Sequence, residues 1–137
     1  MTATGFDSGG PYYPGIVSDD TALSASQYRA VQMGTAVVGG VWRAATAGQA
    51  KVLGVLQDKP ANLGDPCLVQ YAGITKWEAG VAITKGAAIT VDSSGRAITA
   101  AATASHSVYG VALEAASAAG SIIAVAFQYL GPSVNNA

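Results

Sequence analysis

No apolar run in this chain lasts more than six residues before a polar residue, Gly or Pro breaks it; the longest is 122–127. Runs that short suit strands, which are commonly about four to eight residues, better than helices of about ten or more. The candidate strands are 28–33, 36–38, 41–45, 52–57, 67–72, 81–84, 88–91, 97–99, 108–114 and 121–130, several with β-branched residues at alternate or adjacent positions. Between two of them, Asp92-Ser93-Ser94-Gly95 has turn chemistry: Asp and Ser side chains bond the local backbone while Gly accepts positive φ. The pattern predicts an all-β domain.

An internal repeat sharpens that expectation. Ala30-Val31-Gln32-Met33-Gly34-Thr35-Ala36-Val37 aligns with Ala82-Ile83-Thr84-Lys85-Gly86-Ala87-Ala88-Ile89, and Arg43-Ala44-Ala45-Thr46-Ala47 with Arg96-Ala97-Ile98-Thr99-Ala100. Val52-Leu53-Gly54-Val55 then matches Val108-Tyr109-Gly110-Val111, and Val69-Gln70-Tyr71 falls opposite Val125-Ala126-Phe127. Two similar β units packed together predict a compact barrel or sandwich. The repeat also bears on 112–119, an Ala-rich stretch that looks helical by propensity. Its counterpart contains Pro60, Pro66 and Asn62-Leu63-Gly64-Asp65, so 112–119 is expected to be a strand end and a loop.

Residues 1–27 have another character. Gly9-Gly10-Pro11-Tyr12-Tyr13-Pro14-Gly15 suits neither a helix nor a central strand, because Pro lacks an amide donor and Gly adds backbone freedom. The segment is expected to be an extended N-terminal arm. Phe6, Tyr12, Tyr13, Ile16 and Val17 are its candidate partner-binding residues, since apolar terminal segments need tying down somewhere. The arm either docks on a neighbour or folds back on its own domain; on the docking reading, deleting 1–24 leaves the domain folded. The expected organisation is an arm at 1–27, a β domain at 28–130 (repeat units about 28–75 and 80–130) and a short tail at 131–137.

Composition narrows the function classes. Only 11% of residues are charged, and 28 are Ala. A surface so poor in charge is expected to be largely covered by partners. No Lys or Arg adjoins another, so the clustered cations that nucleic acid requires are absent, as is an electrostatic membrane anchor. The longest apolar run is too short to span a bilayer as a helix. The start, Met1-Thr2-Ala3-Thr4-Gly5, lacks a charged region leading into an apolar stretch, so synthesis in a cytoplasm is expected.

Residues able to carry chemistry are few. His106 lies between Ser105 and Ser107 with no nucleophile signature around it, and reads as a solvated loop histidine. One His and one Cys cannot assemble a structural zinc set. Cys67, the single cysteine, cannot form an intrachain disulfide and is expected to be a small buried filler. Asp19-Asp20 and the other carboxylates lack calcium-loop spacing. No phosphate-binding or dinucleotide glycine motif occurs, and Gly39-Gly40, Gly54 and Gly110 suggest bulges or close backbone approach. Trp42 and Trp77 suit core or interface anchors; the other use, a sugar-stacking platform, would make the chain a receptor- or glycan-binding module. An enzyme, a cofactor and a metal site are not expected.

Several segments in register resemble the capsid cement, or head decoration, proteins of tailed phages. They are Val52-Leu53-Gly54-Val55-Leu56-Gln57-Asp58-Lys59-Pro60, Gly73-Ile74-Thr75-Lys76-Trp77, Thr84-Lys85-Gly86, Asp92-Ser93-Ser94-Gly95-Arg96-Ala97 and Gly110-Val111-Ala112-Leu113-Glu114. The likeness covers roughly residues 28–130. It implies a β-tulip domain without catalytic residues, located on the capsid exterior of the virion. It further implies homotrimers at three-fold and quasi-three-fold positions, clamping the major capsid protein and stabilising the expanded head.

Overall fold

The computed structural model of the chain describes residues 11–19, 21–48, 51–101 and 106–132. Ten strands form two five-stranded sheets, with no α-helix among the described residues. In chain order they are β1 (Val17–Ser18), β2 (Ala30–Met33), β3 (Gly40–Arg43), β4 (Val52–Leu56) and β5 (Val69–Gln70) in the first sheet. The second holds β6 (Gly73–Glu78), β7 (Ala88–Val91), β8 (Ala97–Thr99), β9 (Ser107–Ala112) and β10 (Ile122–Pro132). The protein is all-β, as expected.

The sheets repeat one plan. The first runs β1-β3-β2-β4-β5 and the second β6-β10-β9-β7-β8, so β3-β2-β4-β5 and β8-β7-β9-β10 have the same order. Val31 pairs with Gly54 as Ile89 pairs with Gly110. The repeat seen in 52–55 and 108–111 is therefore real in three dimensions. The earlier match is not: Val31 answers to Ile89, whereas Ile83 makes only an isolated bridge to Ala116.

The repeat also begins earlier than residue 28. Tyr12 bridges Gln70 as Ile74 pairs with Ala126, and Val17 runs parallel to Gly40 as Ala79 runs parallel to Ala97. Residues 11–18 are thus the first unit's counterpart of β6 and its continuation. In each unit this segment pairs with one end of the strand order and bridges to the other, curling the sheet into a barrel-like shape.

Each curled sheet wraps a core. Inside the first lie Leu23, Val31, Val41, Leu56, Cys67 and Val69, with Tyr13 and Ile16 packed against them. Leu23 is delivered by a 3-10 turn at Thr21–Ala25 and is fully buried. Inside the second lie Trp77, Ile89, Val91, Tyr109, Val125 and Phe127, with Ala30, Ala44 and Val55 of the first unit added across the seam. Gly95 fastens that seam: its carbonyl accepts the Ala30 N–H (2.7 Å) and the buried Trp77 Nε1–H (3.0 Å).

Three strand expectations need correction. Residues 36–38 include the β-branched Val37 and Val38 yet form a turn, because the β2–β3 ladder ends at Met33–Val41 and leaves them in its connection. There the Ala36 N–H donates to the Asp19 carboxylate (3.0 Å) and Val38 is fully exposed. Residues 81–84 supply only the Ile83 bridge. Conversely, β6 was not among the expected strands. The Ala-rich stretch ends β9 at Ala112 and continues as loop, as the repeat predicted.

Candidate functional site

Phe6 lies outside the described residues. The other candidate arm residues sit on their own domain. Tyr13 packs against Tyr71 in a tilted pair with ring centroids 4.4 Å apart and donates its N–H to the Val69 carbonyl. Ile16 packs on the first core and accepts the Cys67 N–H (2.9 Å), while Val17 is in β1. Tyr12 bridges Gln70 and is half-buried. For residues 11–18, folding back on the domain is what the structure displays. The first unit contributes these residues to its own sheet because they carry the amides and carbonyls that its last strand would otherwise leave unpaired.

The two tryptophans part company. Trp77 is fully buried, packed on Phe127 with ring centroids 5.6 Å apart. It cannot stack on a sugar, so a platform built from both indoles does not form. Trp42, in β3 beside Gln32, is half-buried. Trp77→Ala is expected to destabilise the fold by about 3–5 kcal/mol, the usual cost of emptying a buried aromatic site. Chemical denaturation of the variant checks this; a loss below about 1 kcal/mol would mean the site collapses without cost.

The few potentially reactive groups are held apart. His106 Nδ1 accepts the Ala101 N–H (3.3 Å), with its ring against Gly48. Asp92 caps its own turn, accepting the Ser94 N–H (2.8 Å), the Arg96 N–H (2.8 Å) and Arg96 Nε (3.1 Å). Arg29 pairs with Glu78. Among the described residues no His, Cys, Asp and Glu gather as a metal site would require, and no helix is long and apolar enough to cross a membrane.

Cys67 is buried, its thiol turned toward the Asp65 carbonyl (3.7 Å). Burial, reinforced by the Asp58 and Asp65 charges, pushes the thiol up from its ordinary 9.0 to about 11. At pH 8 the thiolate fraction therefore falls by about 100-fold relative to the unfolded chain. Alkylation by iodoacetamide at pH 8 should be at least that much slower in native protein than in denaturant. Equal rates would contradict the burial. The folded state keeps a proton that the unfolded chain releases above about pH 9, so stability drops as pH rises from 9 toward 11.

Two surface features remain. One is an apolar exterior: Ile122 on β10, Ile74 on β6, and Tyr129 and Leu130 displayed by the irregularity between Phe127 and Gly131. The other is a groove of roughly 470 Å³ where the two units meet, lined by Tyr12, Tyr28, Gln57, Gln70, Ile74 and Lys76 among others. Tyr28 is the one described non-glycine residue at positive φ (65°), and its ring lies 5.9 Å below Lys76 Nζ. Sequence reasoning missed this groove because its walls come from segments distant in the chain and carry no motif.

The sequence model of a family described as phage cement protein matches residues 17–127, most of the chain. No curated protein and no solved structure matches. The matched span starts in β1, within the segment that curls the first sheet.

Proposed function

The chain belongs to the phage cement protein family, and from that membership we propose that it binds the exterior of the phage head as homotrimers at three-fold and quasi-three-fold positions. In this reading each trimer contacts neighbouring major capsid protein subunits and stabilises the expanded shell. The family match over both repeat units carries the proposal, because it spans the fold rather than one motif.

Physical features support the role. A chain with 11% charged residues and several large apolar side chains exposed presents surface that benefits from being covered. Many copies, each adding a modest contact, give a shell avidity that no single site supplies. A protein that binds only the expanded lattice stabilises it by mass action. Nothing in this role needs catalytic groups.

A reconstruction of intact heads bearing the protein is the direct check. Three-fold clusters of exterior density, each lobe the size of one chain, are expected at three-fold and quasi-three-fold positions. Heads carrying the protein with density elsewhere, or with lobes that are not three-fold related, would contradict the trimer assignment.

A further inference from the structure

We propose that the seam joining the two units inside one chain recurs between chains, the uncovered face of the second unit docking on the first unit of a second copy. This rests on the homotrimer reading above and names the surfaces that join its subunits.

The two units match bond for bond around that face. The Tyr28 N–H donates to the Leu56 carbonyl and the Leu56 N–H to Arg29, as the Gly86 N–H donates to Ala112 and the Ala112 N–H to Ala87. The Ala44 N–H donates to Ala30 as the Ala100 N–H donates to Ala88, and Ala30 pairs with Val55 as Ala88 pairs with Val111. Even the left-handed backbone is shared, with Tyr28 at φ 65° where Gly86 stands at φ 87°. In the first unit this face forms the seam, and Ala30, Ala44 and Val55 are fully buried on the second core. In the second unit Ala88 is exposed, and Ala100 and Val111 are half-buried.

The uncovered version of the face is the less polar one. Arg29, which pairs with Glu78 across the seam, has Ala87 as its counterpart. Gln57, whose Nε2 donates to Thr75 Oγ1 (2.8 Å), has Leu113, which is 39% exposed. A face left to water is expected to exchange apolar residues for polar ones; this one does the reverse, as a face covered by a partner would.

The receiving surface is duplicated as well. In the second unit Gly95 is buried and accepts the Ala30 N–H (2.7 Å), and the fully buried Val91 accepts the Gly48 N–H (2.8 Å). Met33 is the counterpart of Val91, since it pairs with Val41 as Val91 pairs with Ala97. Gly39, at φ 73°, is the counterpart of Gly95 at φ 76°. Here too the first unit is uncovered: Met33 is 48% exposed, and Val38, beside Gly39, is 100% exposed. Each chain thus has one uncovered face of either kind, and the way the two kinds fit is displayed within the chain itself. A second copy brings the complement already built, whereas a capsid subunit has no such relation to either face. Contacts between unlike faces are heterologous and can close into a ring; in the trimer reading the ring closes at three copies.

The seam geometry sets the test. Ala30 and Gly95 touch across the seam, so residue 88 of one copy should lie against residues 38–39 of the next. Ala88→Cys and Val38→Cys chains, both changed at exposed positions, are checked for folding by thermal unfolding. Each is then treated with a short bis-maleimide, alone and as a co-expressed mixture, in solution and on expanded heads lacking the protein. Cys67, the one native thiol, is buried. Cross-linked dimers joining one chain of each kind are expected from the mixture, and none from either variant alone. Dimers formed by Ala88→Cys alone would mean a like-with-like contact and overturn the proposal. Trimers of the mixture that stay uncross-linked also overturn it while leaving the trimer reading standing. Copies that are three-fold related neither in solution nor on heads overturn both.

Ala88→Arg decides if a cysteine variant fails to fold. Association between folded copies should weaken by about tenfold or more. Unchanged association overturns the proposal, and if head binding weakens instead, the face belongs to the capsid contact.

Discussion

Deleting residues 1–25 will abolish cooperative folding rather than free the domain of an appendage. The segment gives the first core Leu23, fully buried, and packs Tyr13 and Ile16 against it. Its backbone is bonded on both sides: Tyr71 N–H to Pro11, Cys67 N–H to Ile16 and Ser18 N–H to Asp65 on one, Val17 N–H to Gly39 and Asp19 N–H to Val41 on the other. Loss of one buried leucine alone costs about 2–5 kcal/mol, against a total stability of about 5–15 kcal/mol for an ordinary domain. The truncated chain should lose its sharp thermal transition and its dispersed amide resonances. Leu23→Ala should retain both at a lower midpoint. A truncated protein that still melts cooperatively would restore the picture of a detachable arm.

Gly110→Ala is expected to be nearly as damaging, and Gly54→Ala damaging in the same way. A methyl on Gly110 would run into the Ala126 carbonyl, and one on Gly54 into the Gln70 carbonyl, so in both units the following strand passes over the glycine. Neither carbonyl is a flexible side-chain end that can swing away. Overpacking of this kind costs about 1–3 kcal/mol. Gly110 also sits at φ 154°, adding strain of about 1–3 kcal/mol for a residue with a Cβ. Denaturant titration should rank Gly110→Ala below Gly54→Ala, and both well below wild type. An unchanged midpoint for either would show that the strands can separate without cost.

Those glycines also show what could be seen in the sequence. Val-x-Gly-Val at 52–55 and 108–111 was visible as a repeat, since the same steric demand recurs in both units. The Asp92–Gly95 turn was visible too, because the hydrogen bonds defining it are local. β6 was hidden for a physical reason: its alternation is inverted over Ile74 and Thr75. Ile74 points outward and Thr75 inward, buried and bonded by Gln57 Nε2 (2.8 Å), so hydropathy there argues against a half-buried strand. Residues 11–18 were obscured by Pro11, Pro14 and Gly15, which suggest irregular chain, although this edge of a curled sheet tolerates them. The first repeat match failed because Ala, Gly and Thr are so common here that eight residues can align without sharing a place in the fold. The groove depends on Gln57 and Gln70 reaching β6, a contact set only by tertiary structure.

The proposed function stands or falls on whether the protein strengthens a phage head. Expanded heads lacking it should be divided, one portion saturated with purified protein, and both heated while genome release is followed by dye binding. Release is expected at a clearly higher temperature in the saturated portion, with the gain rising with occupancy. Identical release temperatures at full occupancy would contradict it.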